Sequence, residues 1–113
     1  MLPRKHRLTQ DNDVRRVLRE GRAVVTNLLT LKAAKGATSL VRAAVIVSTK
    51  VDKRSTRRNL IKRRVREVLA KLIPDLNTPV DLVITAKNEA AGREQAAFAA
   101  ALEYCLKKMR LIP

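Results

Sequence analysis

Aromatic residues are almost missing from this chain. It has one Tyr, one Phe and no Trp in 113 residues. With 46% hydrophobic residues a modest core is still available, and it must be built from Leu, Val, Ile and Ala. The paired aromatics that common sheet-based RNA modules use to stack bases are lacking. A single cysteine, Cys105, excludes an internal disulfide and a cysteine metal cluster. Its plain reading is a buried thiol in a cytosolic protein. The single histidine, His6, falls in a basic N-terminal arm, residues 1–8, expected to be mobile, where it reads as a solvated side chain. No apolar run approaches the roughly 20 residues of a membrane-spanning helix. The opening MLPRKHRLTQDND has no apolar segment behind its charges, so no secretory signal is expected.

Acids are also scarce, ten against 25 Lys and Arg, which leaves a formal charge of +15. They are scattered, and no pair has the spacing of a metal-binding nuclease site. With three glycines there is no glycine-rich phosphate loop. No catalytic residue and no metal ligand is therefore assigned to the chain. No helix-turn-helix, zinc finger or leucine zipper can be read. Self-repulsion at +15 is tolerable when an anionic partner neutralises it. RNA or DNA is the natural candidate, and an acidic membrane surface is second.

What is present is concentrated in residues 50–71, KVDKRSTRRNLIKRRVREVLAK, with ten Lys and Arg against Asp52 and Glu67. At 3.6 residues per turn, Ile61, Val65, Val68 and Leu72 fall on one stripe. Arg58, Lys62 and Arg66 form an i, i+4 ladder beside it, next to Asn59 and Arg63. A disordered basic tail has no use for such a stripe. The pattern predicts a helix over 56–73, capped by Ser55 or Thr56 and stopped by Pro74, that packs by one side and presents fixed cations on another. Arg58 and Arg66 are expected to be exposed.

The length suits one domain over residues 1–113. A short helix is expected after Thr9 as N-cap, carrying Val14, Val17 and Leu18 and ending at Gly21. VVTNLLTL, 24–31, reads as a strand; AAKGATS is a turn region around Gly36. LVRAAVIVS, 40–48, reads as a central strand buried on both faces, and VDLVITA, 80–86, as a third strand. A last helix over 92–110 has an apolar face of Phe98, Ala101, Leu102, Cys105, Leu106 and Met109. The order is αββαβα, an α+β chain whose sheet packs helices on one face and leaves the other partly open. Without further information a right-handed crossover is the default.

The residues Arg58-Asn59-Leu60-Ile61-Lys62-Arg63-Arg64-Val65-Arg66-Glu67 resemble the RNxxKRxxRE motif of the bacterial ribonuclease P protein subunit. Met1-Leu2-Pro3 with Arg7-Leu8 is similar to that family's MLPxxxRL start, and residues 13–21, DVRRVLREG, to its DFxxVFxxG helix. VSTKV, 47–51, resembles its VSKKV, and DLVITA, 81–86, its D(I/L)V(V/I)xA strand. The resemblance implies an α/β sandwich of the ribosomal protein S5 domain 2-like type, with a left-handed βαβ crossover in place of the default. It implies the non-catalytic protein subunit of a ribonucleoprotein endoribonuclease, a hydrolase. Its partners would be a catalytic RNA that holds the Mg²⁺ ions and a precursor tRNA whose 5′ leader is removed. No membrane and no small-molecule substrate is implied, and the setting would be cytoplasmic.

Carried onto this chain, Arg58, Asn59, Lys62, Arg63 and Arg66 would face the RNA subunit, with Lys50, Lys53 and Arg57 extending that surface. Val14, Leu18, Thr30 and Lys32 would line the leader cleft. The family usually has Phe where this chain has Val14 and Leu18, so leader stacking should be weaker and charge more important. Thr49 stands where the first Lys of a KK pair is usual. A small basic ribosomal protein of similar fold, or a DNA-binding architectural protein, are the competing readings; a self-sufficient nuclease fits least.

Overall fold

The computed structural model describes residues 2–113; Met1, which opens the arm and the MLPxxxRL resemblance, lies outside the described residues. The chain runs through α1 (Asp11–Glu20), β1 (Arg22–Val25), β2 (Leu29–Lys35), β3 (Arg42–Ile46), α2 (Ser55–Leu72), β4 (Val80–Ala86) and α3 (Gln95–Lys108). Short 3-10 turns lie at Arg4–His6, Ile73–Asp75 and Asn88–Ala90. The strands form one mixed sheet in the order β1-β2-β4-β3. β1–β2 and β2–β4 are antiparallel, and β3–β4 is parallel. The basic helix α2 is thus the crossover of a parallel βαβ unit.

Two layers of helix flank the sheet, as an α+β sandwich requires. Leu29, Leu31, Ala43, Val45, Leu82 and Ile84 pack on α2 and α3. From α2 come Ile61, Val65, Val68, Leu69 and Leu72, so the apolar stripe is buried where its spacing put it. From α3 come Phe98, Ala101, Leu102, Cys105 and Leu106. On the opposite face Val17 of α1 packs with Leu8 and Val83, flanked by Val14, Leu18, Ala34, Ala44 and Ile46. α1 covers only part of that face.

Three expectations change. The strand over 24–31 is a hairpin, β1 and β2, because Thr26 turns the chain. Its hydroxyl accepts from the Leu28 and Leu29 amides (3.2 and 3.1 Å), and its own amide donates to the Leu29 carbonyl (2.8 Å). Local side-chain bonding to the backbone outweighs the β propensity of the run. β3 is an edge strand with alternating burial, not a central one. The strand enclosed on both faces is β4, where Thr85 is the one residue half exposed. β3 looked central because the N-terminal arm covers its edge. The Leu8 amide donates to Ala43 O (2.9 Å), Arg7 bridges Ala43, and Leu2 is fully buried. The arm is therefore docked rather than loose, and His6 Nδ1 donates to the Val41 carbonyl (2.7 Å).

Helix ends differ in detail. Gln10 and Arg54 precede α1 and α2 without side-chain caps, in place of Thr9 and of Ser55 or Thr56. α3 starts at Gln95, after a turn in which Gly92 has φ +74°. Gly21 ends α1 for a spatial reason. A Cβ there would sit 2.5 Å from Val17 O and 3.2 Å from Ala33 O.

Candidate nucleic-acid interface

With its apolar stripe on the sheet, α2 turns the rest of its surface outward. Arg57, Asn59 and Arg63 are exposed, as are Lys50 and Lys53 in the preceding loop. Arg58, Lys62 and Arg66 lie half-buried beside the stripe. Two of these depart from the expected exposure. The Arg58 Nη1 donates to the carbonyls of Asp52 (3.1 Å) and Lys53 (2.9 Å), tying the helix to the loop that carries Lys50 and Lys53. A guanidinium fork can hold two carbonyls and still offer its remaining N–H groups. Arg66 is lowered from the ordinary arginine range by burial first and by the cationic Arg7 second. The docked arm thus brings a second guanidinium towards the ladder, and Arg66 has no acidic partner among the described residues.

Asp52, one of the two acids in this stretch, is engaged locally. Its carboxylate accepts the Arg54 amide (2.9 Å) and Arg54 Nε (3.3 Å), which hold it below the usual carboxylate range. It organises the loop and neutralises Arg54, leaving the neighbouring cations for an outside anion. Arg64 is likewise turned inward and donates to the Arg93 carbonyl before α3.

The other face of the sheet is only partly covered by α1, which leaves an open surface beside the helix. Strand register places Val25, Thr30, Thr85 and Ile46 in one row across it, and Ala23, Lys32, Val83 and Ala44 in the next. Val14 and Leu18 of α1 are half-buried against this surface, so they pack and remain accessible at once. Thr30 and Thr85 pair directly. Lys32 Nζ donates to the Leu18 carbonyl at the C-terminal end of α1 (2.7 Å), where the helix dipole favours a cation. The structure therefore brings all four cleft residues, Val14, Leu18, Thr30 and Lys32, to one face. Thr85 and Ile46 belong with them and were missed, because only the strand order places them there.

An ion cluster fixes α1 above this floor. The fully buried Asp81 receives Arg42 Nε on Oδ1 (3.1 Å) and Arg42 Nη2 on Oδ2 (3.0 Å). Arg16 of α1 and the Ala37 amide (3.3 Å) also donate to Oδ2. Hydrogen bonding to Asp81 is the main cause that raises Arg42 above its ordinary range. Helix, edge strand and central strand meet at this carboxylate. An acid inside the apolar run VDLVITA was the available signal, since a buried carboxylate demands partners.

A docked basic helix on one face of a mixed sheet, with an open surface on the other, fits an RNA-binding α+β protein. The chain belongs to the Ribonuclease P family, whose sequence model matches residues 2–110. That family is the protein component of the tRNA-processing enzyme. The chain is 35% identical over 85 residues to the ribonuclease P protein component of Chloroflexus aggregans, covering 75% of this chain and 62% of that protein. With the protein component of Clostridium botulinum it shares 31% over 106 residues, 93% of this chain and 95% of that one. Its fold matches the RNase P protein of Staphylococcus aureus with a TM-score of 0.85 at 21% identity, covering 96% of this chain and 98% of the other.

Proposed function

We propose that the chain is the non-catalytic protein subunit of ribonuclease P. In this reading it binds the catalytic RNA through α2 and the arm, and holds the 5′ leader of precursor tRNA in the cleft beside α1. It thereby assists Mg²⁺-dependent endonucleolytic removal of the leader, which leaves mature tRNA 5′ ends. The observation that carries the reading is the cation ladder of α2, fixed by its buried stripe and without acidic partners among the described residues.

Arginine presents planar forked donors to phosphate oxygens, and lysine adds a point charge. Held on a packed helix, these groups lose less conformational entropy on binding than a flexible tail would. Arg57, Arg63, Lys50 and Lys53 point to solvent for this role; Arg58, Lys62 and Arg66 form the inner row beside them. Neutralising six to ten phosphates makes affinity fall by roughly a thousandfold or more between low and moderate salt. The cleft offers aliphatic walls and two threonine hydroxyls in place of aromatic rings, so leader binding leans on shape and charge.

In this reading Mg²⁺ is held mainly by the catalytic RNA. Among the described residues no three His, Cys, Asp or Glu side chains gather, and the buried Asp81 is held by Arg16 and Arg42. The ions would be held by RNA phosphates. No helix among the described residues is long and apolar enough to cross a membrane, and tRNA maturation assigns the chain to the cytoplasm.

The test compares the affinities of precursor tRNA and mature tRNA for the catalytic RNA, with and without this protein. Selective tightening of the precursor is expected. Equal tightening of both would remove the leader cleft from the account. No effect on either would leave a structural RNA-binding protein.

A further inference from the structure

Two of the large apolar side chains most exposed on the molecule flank a single groove. Val25 at the end of β1 is 59% exposed, and Tyr104 of α3 is 52% exposed. Between them Asn27, Leu28, Ala97 and Ala101 line a hollow of about 450 Å³. That volume lies in the range of sites for small ligands, roughly 300–1,000 Å³. Val25 also ends the row Val25-Thr30-Thr85-Ile46, so the groove begins where the open sheet face stops.

The rim is cationic. Lys108 Nζ stands 5.8 Å from the centre of the Tyr104 ring, and Lys87 Nζ donates to the Thr26 carbonyl (3.0 Å) on the other wall. Glu103, the acid next to Tyr104, lines a different hollow against α2. Glu89 shares the neighbouring hollow with Asn27 and Lys87. The exposed Asn27 amide makes no side-chain hydrogen bond among the described residues, leaving donors and an acceptor for a base edge.

We propose that this groove binds one unstacked nucleobase of single-stranded RNA, stacked on Tyr104, edged by Asn27 and with its phosphate near Lys108. An aromatic ring with a cation beside it is the arrangement that single-strand binders use, and a duplex keeps its bases out of reach. A second copy of this chain is a poor occupant, because each copy carries +15. The groove meets the leader cleft only at Val25 and includes no residue of α2, so Tyr104 can be tested apart from both.

The chain supplies its own probe: Tyr104 is the one tyrosine and there is no Trp, so tyrosine emission reports on this groove alone. The full-length protein is titrated at low salt with a 12-nucleotide single-stranded RNA, with an abasic oligomer of equal length, and with an RNA duplex. Binding is followed separately by anisotropy of end-labelled RNA. Saturable quenching by the single strand is expected, with little from the abasic oligomer or the duplex at matched occupancy. Tyr104→Leu should weaken single-strand binding roughly five- to a hundredfold, and Tyr104→Phe should retain it. Unchanged emission while anisotropy reports bound RNA would overturn the proposal and leave the α2 interface untouched. Equal RNA affinity of Tyr104→Leu would also overturn it. Tyrosine emission per protein molecule that changes with protein concentration in the absence of RNA would assign the groove to a second copy instead.

Discussion

The ammonium of Lys32 on β2 donates to the main-chain carbonyl of Leu18 at the end of α1, at 2.7 Å. A residue that the family resemblance places in the leader cleft is thereby a tie between sheet and helix. Gly21 allows the close approach, since a side chain there would meet Val17 and Ala33. Replacing Lys32 by Met keeps the stem and removes the donor. Hydrogen bonds to charged groups contribute about 1.5–3 kcal/mol, and partial exposure puts this one near the lower end. Lys32→Met should lower stability by about 1–2 kcal/mol and weaken precursor tRNA binding, while affinity for the RNA subunit stays unchanged. Denaturant unfolding and two binding titrations check this; loss of RNA-subunit affinity alone would contradict it.

Asp81 should be the polar residue on which the fold depends most. It is fully buried and joins Arg16 of α1 to Arg42 of β3. Removing one partner of a buried pair costs about 3–5 kcal/mol. Both arginines keep some solvent contact, so Asp81→Asn should destabilise by about 3 kcal/mol. The expected signature is a lower urea midpoint with an unchanged slope. A midpoint equal to that of the parent protein would mean the cluster is dispensable.

Arg63 and Arg58 separate binding from local order. Arg63 is exposed and makes no side-chain hydrogen bond or ion pair among the described residues. Arg63→Ala should leave stability within about 0.5 kcal/mol and reduce the salt slope of RNA binding by about one. Arg58→Ala removes two bonds to the loop carbonyls of Asp52 and Lys53, so it should weaken RNA binding and also loosen residues 50–54. Amide hydrogen exchange distinguishes them: faster exchange in the loop is expected for Arg58→Ala only.

Cys105 should be chemically silent in the native state. It is fully buried in the core on α3, and burial pushes its thiol up to about 11. Thiolate is the reactive form, so access and ionisation both oppose labelling at pH 8. Native protein should resist a thiol reagent that labels the unfolded chain at once. Rapid native labelling would mean that α3 opens locally.

Much of the fold was legible from period. The stripe Ile61, Val65, Val68 and Leu72 located α2 to within a residue at each end, and VDLVITA marked the bounds of β4. The hairpin was hidden because Thr26 and Asn27 interrupt a β-branched run without a glycine or proline. The edge position of β3 was hidden because its cover, the N-terminal arm, comes from far away in sequence. The same docking brings the charge of Arg7 within range of Arg66, which it lowers second to burial, and no local pattern contains that. On α2, helical spacing placed the buried stripe and the cations beside it, but not the half-burial of Arg58 and Arg66. Thr30 and Lys32 came from the family resemblance alone, and the pairing of Thr85 with Thr30 follows only from strand register.

The most direct test of the central claim is a turnover assay at near-limiting Mg²⁺, with precursor tRNA, the cognate catalytic RNA, and this protein added or withheld. Adding the protein should speed removal of the 5′ leader and lower the Mg²⁺ requirement, with no cleavage by the protein alone. Binding to both RNAs with no change in rate or in Mg²⁺ requirement would contradict the claim.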